Sequence, residues 1–322
     1  MKLELTEKPK KVKEVMVEMT KEELSHQYKH ALEHFGAEVQ APGFRKGKAP
    51  LDVVKQKVDK SKVDGHVLNH IYPEIMKKVI EEHKIAPIMH PRMKLDHLSQ
   101  KEGFKAIITF VERPDIGLPE YKKIASKSQE EVKKNKSEGS KIITAKNIED
   151  AKKKAAEGVK EANEKIKDAA NANELTEDQK ILSSIYEKLI EDVKIELADI
   201  MVEEETTRLI QNFLSYLSRL GINAQDYLKQ QNTTIERVRE DYKQQAIKNL
   251  KLEFILGEIS KKENIKVEPQ EIEDVIKNVP GEDQKKFLSQ PEQKIYIEST
   301  LLKNKVANKL VEWAKGERVY KN

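Results

Sequence analysis

The chain has 322 residues, 36% charged and 5% aromatic, with a net charge of +4 from 60 basic and 56 acidic side chains and a mean hydropathy of −0.73. That length predicts two or more domains, and so polar a composition argues against a large β-sandwich or parallel-sheet enzyme and for long helices with narrow apolar stripes. The near-neutral balance excludes a general nucleic-acid binder, and the lack of cysteine excludes disulfides and thiolate chemistry, which fits a reducing, cytoplasmic setting.

The N-terminal stretch MKLELTEKPKKVKEV holds no apolar core of signal-peptide length. No run of about 18 apolar residues occurs, so no membrane span is expected. Residues 12–19 (VKEVMVEM) alternate well enough to predict a strand. Thr20 and Glu23 form a capping box that opens a helix with Leu24, Tyr28, Ala31, Leu32 and Phe35 on one face, ended by Gly36 and the segment 42–50. A second helical stretch over 51–84 carries Val63, Val67, Ile71 and Ile75 at i, i+4 spacing. Strands are predicted at 92–98 and 104–112 with Gly103 in the turn between them. Residues 1 to about 113 therefore read as a small α+β domain.

Arg113-Pro114-Asp115 and Leu118-Pro119 mark a linker. Between Pro119 and Pro269 there is no proline, as long helices require. Residues 126–140 are rich in Lys, Glu and Ser and read as flexible. A thin, alanine-rich seam runs through Ile148, Ala151, Ala155, Val159, Ala162, Ile166 and Ala169 at coiled-coil spacing. Thr176 with Gln179 offers another capping box before Ile181, Leu182, Ile185 and Leu189. Residues 203–220 hold Leu209, Ile210, Phe213, Leu214, Leu217 and Leu220, stopped by Gly221. Thr233 with Glu236 is expected to start a long helix through Tyr242 and Leu250 to Ile259; Pro269 opens a short one, and the last runs over about 292–315. The predicted organisation is an α+β domain (1–115), a linker and charged helical insert (116–175), and an elongated all-helical domain (176–322).

The segment Pro42-Gly43-Phe44-Arg45-Lys46-Gly47-Lys48-Ala49-Pro50 stands out. Gly43 and Gly47 permit tight turns, and the two prolines stiffen the ends. Between them lie one large aromatic and three cations. Burying the Phe44 ring in a partner would be worth roughly 1.5–3 kcal/mol, and Arg45 can fork onto a carboxylate or phosphate. That mixture suits a surface offering both phosphate and apolar pockets. On residue types alone, a solvated basic turn explains it equally well.

GFRKGKAP resembles the ribosome-binding signature of the trigger factor family, Gly-Phe-Arg-x-Gly-x-x-Pro, matching at Gly43, Phe44, Arg45, Gly47 and Pro50. The similarity continues through 20–24, Tyr72-Pro73, Ile85-Ala86-Pro87 and 110–114, and returns at Leu220-Gly221-Ile222, Asp226-Tyr227-Leu228 and 256–259. It covers the first 115 residues and 180–315. The resemblance implies that Gly43, Phe44, Arg45, Lys46, Gly47 and Lys48 dock on the large ribosomal subunit at the tunnel exit, against a ribosomal protein and rRNA. It also implies that the helical part shelters unfolded nascent chains, and that a weak homodimer forms away from the ribosome. The family's prolyl isomerase domain of the FK506-binding type is not expected, because residues 122–185 are too few, too charged and free of Phe, Tyr and Trp.

Met201, Val202, Phe213, Tyr216, Phe254 and Ile255 are the candidates for client contact, although most of any apolar stripe must be core. No Walker A loop, Rossmann glycine pattern or nucleophile elbow is present, so client binding is expected to need no ATP, and neither an enzyme nor a cofactor is expected. His26, His30 and His34 recur every four residues but read as facing water, opposite the Leu24–Phe35 stripe; His66 and His70 read as core-edge residues rather than metal ligands. Two rival functions are an RNA-binding protein using the basic loop and a helical scaffold that binds no client.

Overall fold

A computed structural model describes residues 1–138 and 176–316. It divides into two compact units, Met1–Pro114 and the chain from Asp115 onward. The alanine-rich seam and the end of the segment read as flexible lie outside the described residues.

The first unit is a four-stranded antiparallel sheet with helices on one face. The strands are β1 (Lys2–Lys8), β2 (Val12–Met19), β3 (Arg92–Ser99) and β4 (Gly103–Val111), in the order β1-β2-β4-β3. Alternation decides which side is buried. Val15, Val17 and Met19 pair with Ile108, Ala106 and Phe104, and all six are buried. Against them pack α1 (Lys21–Gly36), α2 (Leu51–Lys57) and α3 (Lys60–His83). The Thr20 capping box forms as expected. Along α3 the buried stripe is Val63, Val67, Ile71, Ile75 and Val79, and Pro73 lies within that helix.

β1 was not expected. Its Leu3 and Leu5 alternate with charged or hydroxyl side chains and pack only at the margin of the core. As the edge of the sheet, its charged outer row is what discourages pairing with another chain. Gly103 has φ 97° and closes the β3–β4 turn; a Cβ there would sit 2.2 Å from the Met19 carbonyl oxygen, so only glycine fits. Gly36 ends α1 as expected and has a second part in the packing. It is the last residue of α1, and a Cβ would meet Val54 Cγ2 at 3.3 Å. Its absent side chain lets α2 close onto α1.

The described part of the second unit is all helix: α4 (Tyr121–Glu138), α5 (Glu177–Asp192), α6 (Asp199–Arg219), α7 (Ala224–Gln230), α8 (Ile235–Lys262), α9 (Pro269–Lys277), α10 (Glu282–Leu288) and α11 (Pro291–Lys315). Its centre is α4, α5, α8 and α11, packed through Ile124 and Ala125, Ile181, Ile185 and Leu189, Ile255 and Ile259, and Val306 and Leu310. α6 packs along α8. The reading of residues 126–140 as flexible fails at its start: 126–138 belong to α4, and Ser128 is fully buried. The error came from weighing charge over the Tyr121-Ile124-Ala125-Ser128 stripe, which has helical spacing. The long helix starts one residue later than expected, with Thr234 as its cap, accepting from the Arg237 N–H.

Candidate functional site

The segment 37–50 leaves α1 at Gly36 and re-enters helix at Leu51. Val54 on Gly36 holds its two feet together. Its backbone makes two consecutive tight turns. In the first, Phe44 N–H donates to the Ala41 carbonyl at 3.1 Å, with Pro42 second and Gly43 third at φ 81°. In the other, Lys48 N–H donates to the Arg45 carbonyl at 2.9 Å, with Gly47 third at φ 77°. Proline second and glycine third at positive φ is the type II arrangement. Gly47 N–H also donates to the Val39 carbonyl at 3.3 Å, tying the second turn back to the loop's base.

The consequence is a displayed tip. Buried Ala41 anchors the loop, whereas Phe44 is 41% exposed although it is a large aromatic. Gly43, Arg45, Lys46 and Lys48 are exposed and Gly47 is half-buried. Arg45, Lys46 and Lys48 form no ion pair among the described residues, in contrast to Lys105, which lies 2.7 Å from Glu18, and Lys13, 2.8 Å from Glu112. An apolar ring and three uncommitted cations therefore share one short, stiffened tip, which can meet an apolar pocket and an anion together.

The candidate client contacts divide. Met201, Val202, Phe254 and Ile255 are buried where α6 and α8 pack into the helical unit, so these four of the candidates belong to the core part of their stripes. Periodicity locates an apolar stripe but does not tell whether another helix covers it. Phe213 is half-buried and rests against Tyr227 and Tyr242, at ring distances of 5.3 and 5.6 Å. Tyr216 is 58% exposed. The sequence reading missed the exposed apolar side chains around it: Leu214, Leu220, Ile222 and Ile235, all within two turns of the α6–α7–α8 connection. A second exposed set is Phe287 on α10 with Ile295 and Tyr296 on α11, the last two 66% and 70% exposed. The available signal was their position beside helix ends and short helices, where neighbouring helices run out.

The histidines also differ from expectation. His30 and His34 turn toward α3, where they meet His66 and His70. Burial, reinforced by His70, His34 and His30, pushes the His66 imidazole below its ordinary value.

Two family descriptions match the chain: the bacterial trigger factor protein over residues 1–141, and the bacterial trigger factor protein C-terminus over residues 145–312. Only residues 142–144 lie between them, and both matches run into the stretch 116–175 read as linker and insert. The trigger factor of Leifsonia xyli subsp. xyli is 32% identical over 109 residues, which cover 33% of this chain and 23% of that protein. The match thus spans about a quarter of that relative's length. The trigger factor of Pelotomaculum thermopropionicum is 21% identical over 93% of this chain and 94% of its own length. That alignment runs over 411 residues, while 93% of 322 is about 299, so roughly 110 aligned positions have no counterpart here. A solved structure reported under "Promiscuous Substrate Recognition in Folding and Assembly Activities of the Trigger Factor Chaperone" superposes with a TM-score of 0.59 at 14% identity, covering 97% of this chain and 99% of that one. At that identity the likeness is one of fold.

Proposed function

The chain belongs to the bacterial trigger factor family, and on that footing we propose that it is an ATP-independent chaperone that docks on the large ribosomal subunit beside the peptide exit and shelters emerging chains. The supporting observation is the 41–48 tip, which holds Phe44 outward beside three cations that form no ion pair among the described residues. The ring would enter a pocket on a ribosomal protein, and Arg45, Lys46 and Lys48 would contact rRNA phosphate. We assign docking to residues 1–115 and client contact to 176–322, in a cytoplasmic protein.

A holdase needs apolar surface that is exposed but interrupted, so that it binds unfolded segments without aggregating itself. Tyr216, Leu220 and Ile222 on one side, and Phe287, Ile295 and Tyr296 on the other, meet that need. Phe287, Ile295 and Tyr296 are set among Lys and Glu on α10 and α11, and Tyr216 shares α6 with Glu203, Glu204, Glu205, Arg208 and Arg219. We assign no prolyl isomerase activity to the chain. The two family matches follow one another with three residues between them, and residues 122–185 contain no aromatic side chain with which to line a prolyl pocket.

Co-sedimentation with purified ribosomes tests the docking. Phe44→Ala combined with Arg45→Ala should abolish it at moderate salt while the circular dichroism spectrum stays unchanged. Undiminished co-sedimentation of that variant would overturn the assignment. Holdase action is tested separately, by suppression of aggregation of an unfolded protein without ATP; no suppression would favour a helical scaffold.

A further inference from the structure

Two histidine pairs, each one helical turn apart, face one another across the α1–α3 contact: His30 and His34 on α1, His66 and His70 on α3. Ring centroids lie 4.6 Å apart for His66–His70 and for His34–His66, and 5.2 Å for His30–His70. His66 thus meets both His34 and His70, and His70 also meets His30. Neutral, each ring carries one lone pair in search of a donor or a metal. Those of His30, His66 and His70 come from ligand nitrogens within 4.8 Å of one another. The Nε2 of His66 is buried and has no hydrogen-bond partner among the described residues, the kind of orphaned buried polar atom that folded proteins rarely leave without a reason.

The donor set specifies the ligand. It is all imidazole nitrogen, which suits Zn²⁺, Ni²⁺, Cu²⁺ or Co²⁺ and not the oxygen-seeking Mg²⁺ or Ca²⁺. Zinc–nitrogen bonds of about 2.0–2.1 Å in a tetrahedron bring ligand nitrogens to roughly 3.4 Å. The spacing here is wider by up to about 1.4 Å, and His30 and His70 are exposed, so rotation of their rings can close it. We propose that His30, His66 and His70 form a binding site for a divalent transition-metal ion, with His34 or water in the fourth position. Such an ion would pin the last two turns of α1, from whose end the 37–50 loop departs, to α3.

The test uses the full chain, stripped with a chelator and titrated at pH 7.5 with Zn²⁺ by calorimetry and with Co²⁺ by visible absorption. One ion per chain is expected, with Co²⁺ bands typical of tetrahedral nitrogen coordination, and Zn²⁺ but not Mg²⁺ should raise the unfolding temperature. His66→Gln with His70→Gln should abolish binding. His30→Gln alone, at an exposed position that does not threaten folding, should weaken it by at least about 10–100-fold, the loss that removal of even an outer-shell partner of a ligand brings. His26→Gln, on the same helix but outside the cluster, should bind as the parent does. Absence of stoichiometric binding by the parent, or parental affinity in His30→Gln, would overturn the assignment.

Discussion

The backbone of the 41–48 tip can be perturbed without touching any of its charges. Gly43 and Gly47 both lie at positive φ, 81° and 77°, and an alanine in that region costs about 1–2 kcal/mol. At Gly43 a Cβ would meet nothing within 4 Å among the described residues, so Gly43→Ala carries the backbone cost alone. At Gly47 the same atom would stand 3.1 Å from the Ala37 carbonyl oxygen, which adds a close approach to rigid backbone. Since the loop is exposed and the core lies elsewhere, local opening relieves this strain rather than global unfolding. Opening lowers the fraction of molecules whose Phe44 and Arg45 are held for docking, and apparent affinity falls with that fraction. A cost of 1–2 kcal/mol corresponds to about 5–30-fold weaker ribosome binding, larger for Gly47→Ala than for Gly43→Ala. Gly47→Asn should recover part of the loss, because asparagine tolerates the left-handed region. The measurement is a ribosome titration of labelled protein at fixed salt, with thermal unfolding as the check on folding. No cation changes, so the salt slope should match the parent's. Parental affinity in both alanine variants would refute the idea that two glycine turns pre-organise the site.

Three further outcomes follow from other parts of the molecule. Tyr216→Ser with Leu220→Ser removes exposed apolar surface near the α6–α7–α8 connection; it should weaken suppression of client aggregation while leaving the unfolding temperature within a few degrees, since exposed substitutions rarely exceed about 0.5 kcal/mol. In the second unit, burial pushes the Glu263 carboxyl up, but Lys122 at 2.7 Å and the Tyr121 hydroxyl at 2.6 Å outweigh it and hold the group below its ordinary range. A carboxyl depressed in the folded state stabilises above its unfolded value near 4.5 and loses that contribution as pH falls through the folded value. The melting-temperature gap between the parent and Glu263→Gln should therefore be full at pH 7 and close below about pH 4.5; a gap constant with pH would contradict this. Finally, a protease-coupled prolyl peptide assay should show no turnover above background, and clear turnover would refute the reading of residues 122–185.

Elements whose signals are local were legible in the sequence. The Thr20 and Thr176 capping boxes form, the Val63-Val67-Ile71-Ile75 stripe is buried, and Gly103 sits where a turn leaves no room for a side chain. Each depends on neighbours within about four residues, or on a steric limit that any fold must respect. β1 was not legible, because an edge strand needs little apolar content. Nor was α4, whose buried Ser128 looks like surface until a partner helix is known.

The amino-acid order by itself determined the fold class, the glycines and prolines that shape the 41–48 tip, and the presence there of one aromatic among cations. Only the tertiary structure decided which apolar stripes are surface. Met201 and Val202 on α6 and Phe254 and Ile255 on α8 are apolar like their exposed neighbours, yet α6 packing on α8 buries them and leaves Tyr216 and Leu220 exposed. It also brought together His30, His66 and His70, more than thirty residues apart across the two helices. Helical periodicity fixes the direction of a side chain relative to its own axis, and only the packing of a second axis decides what that direction faces.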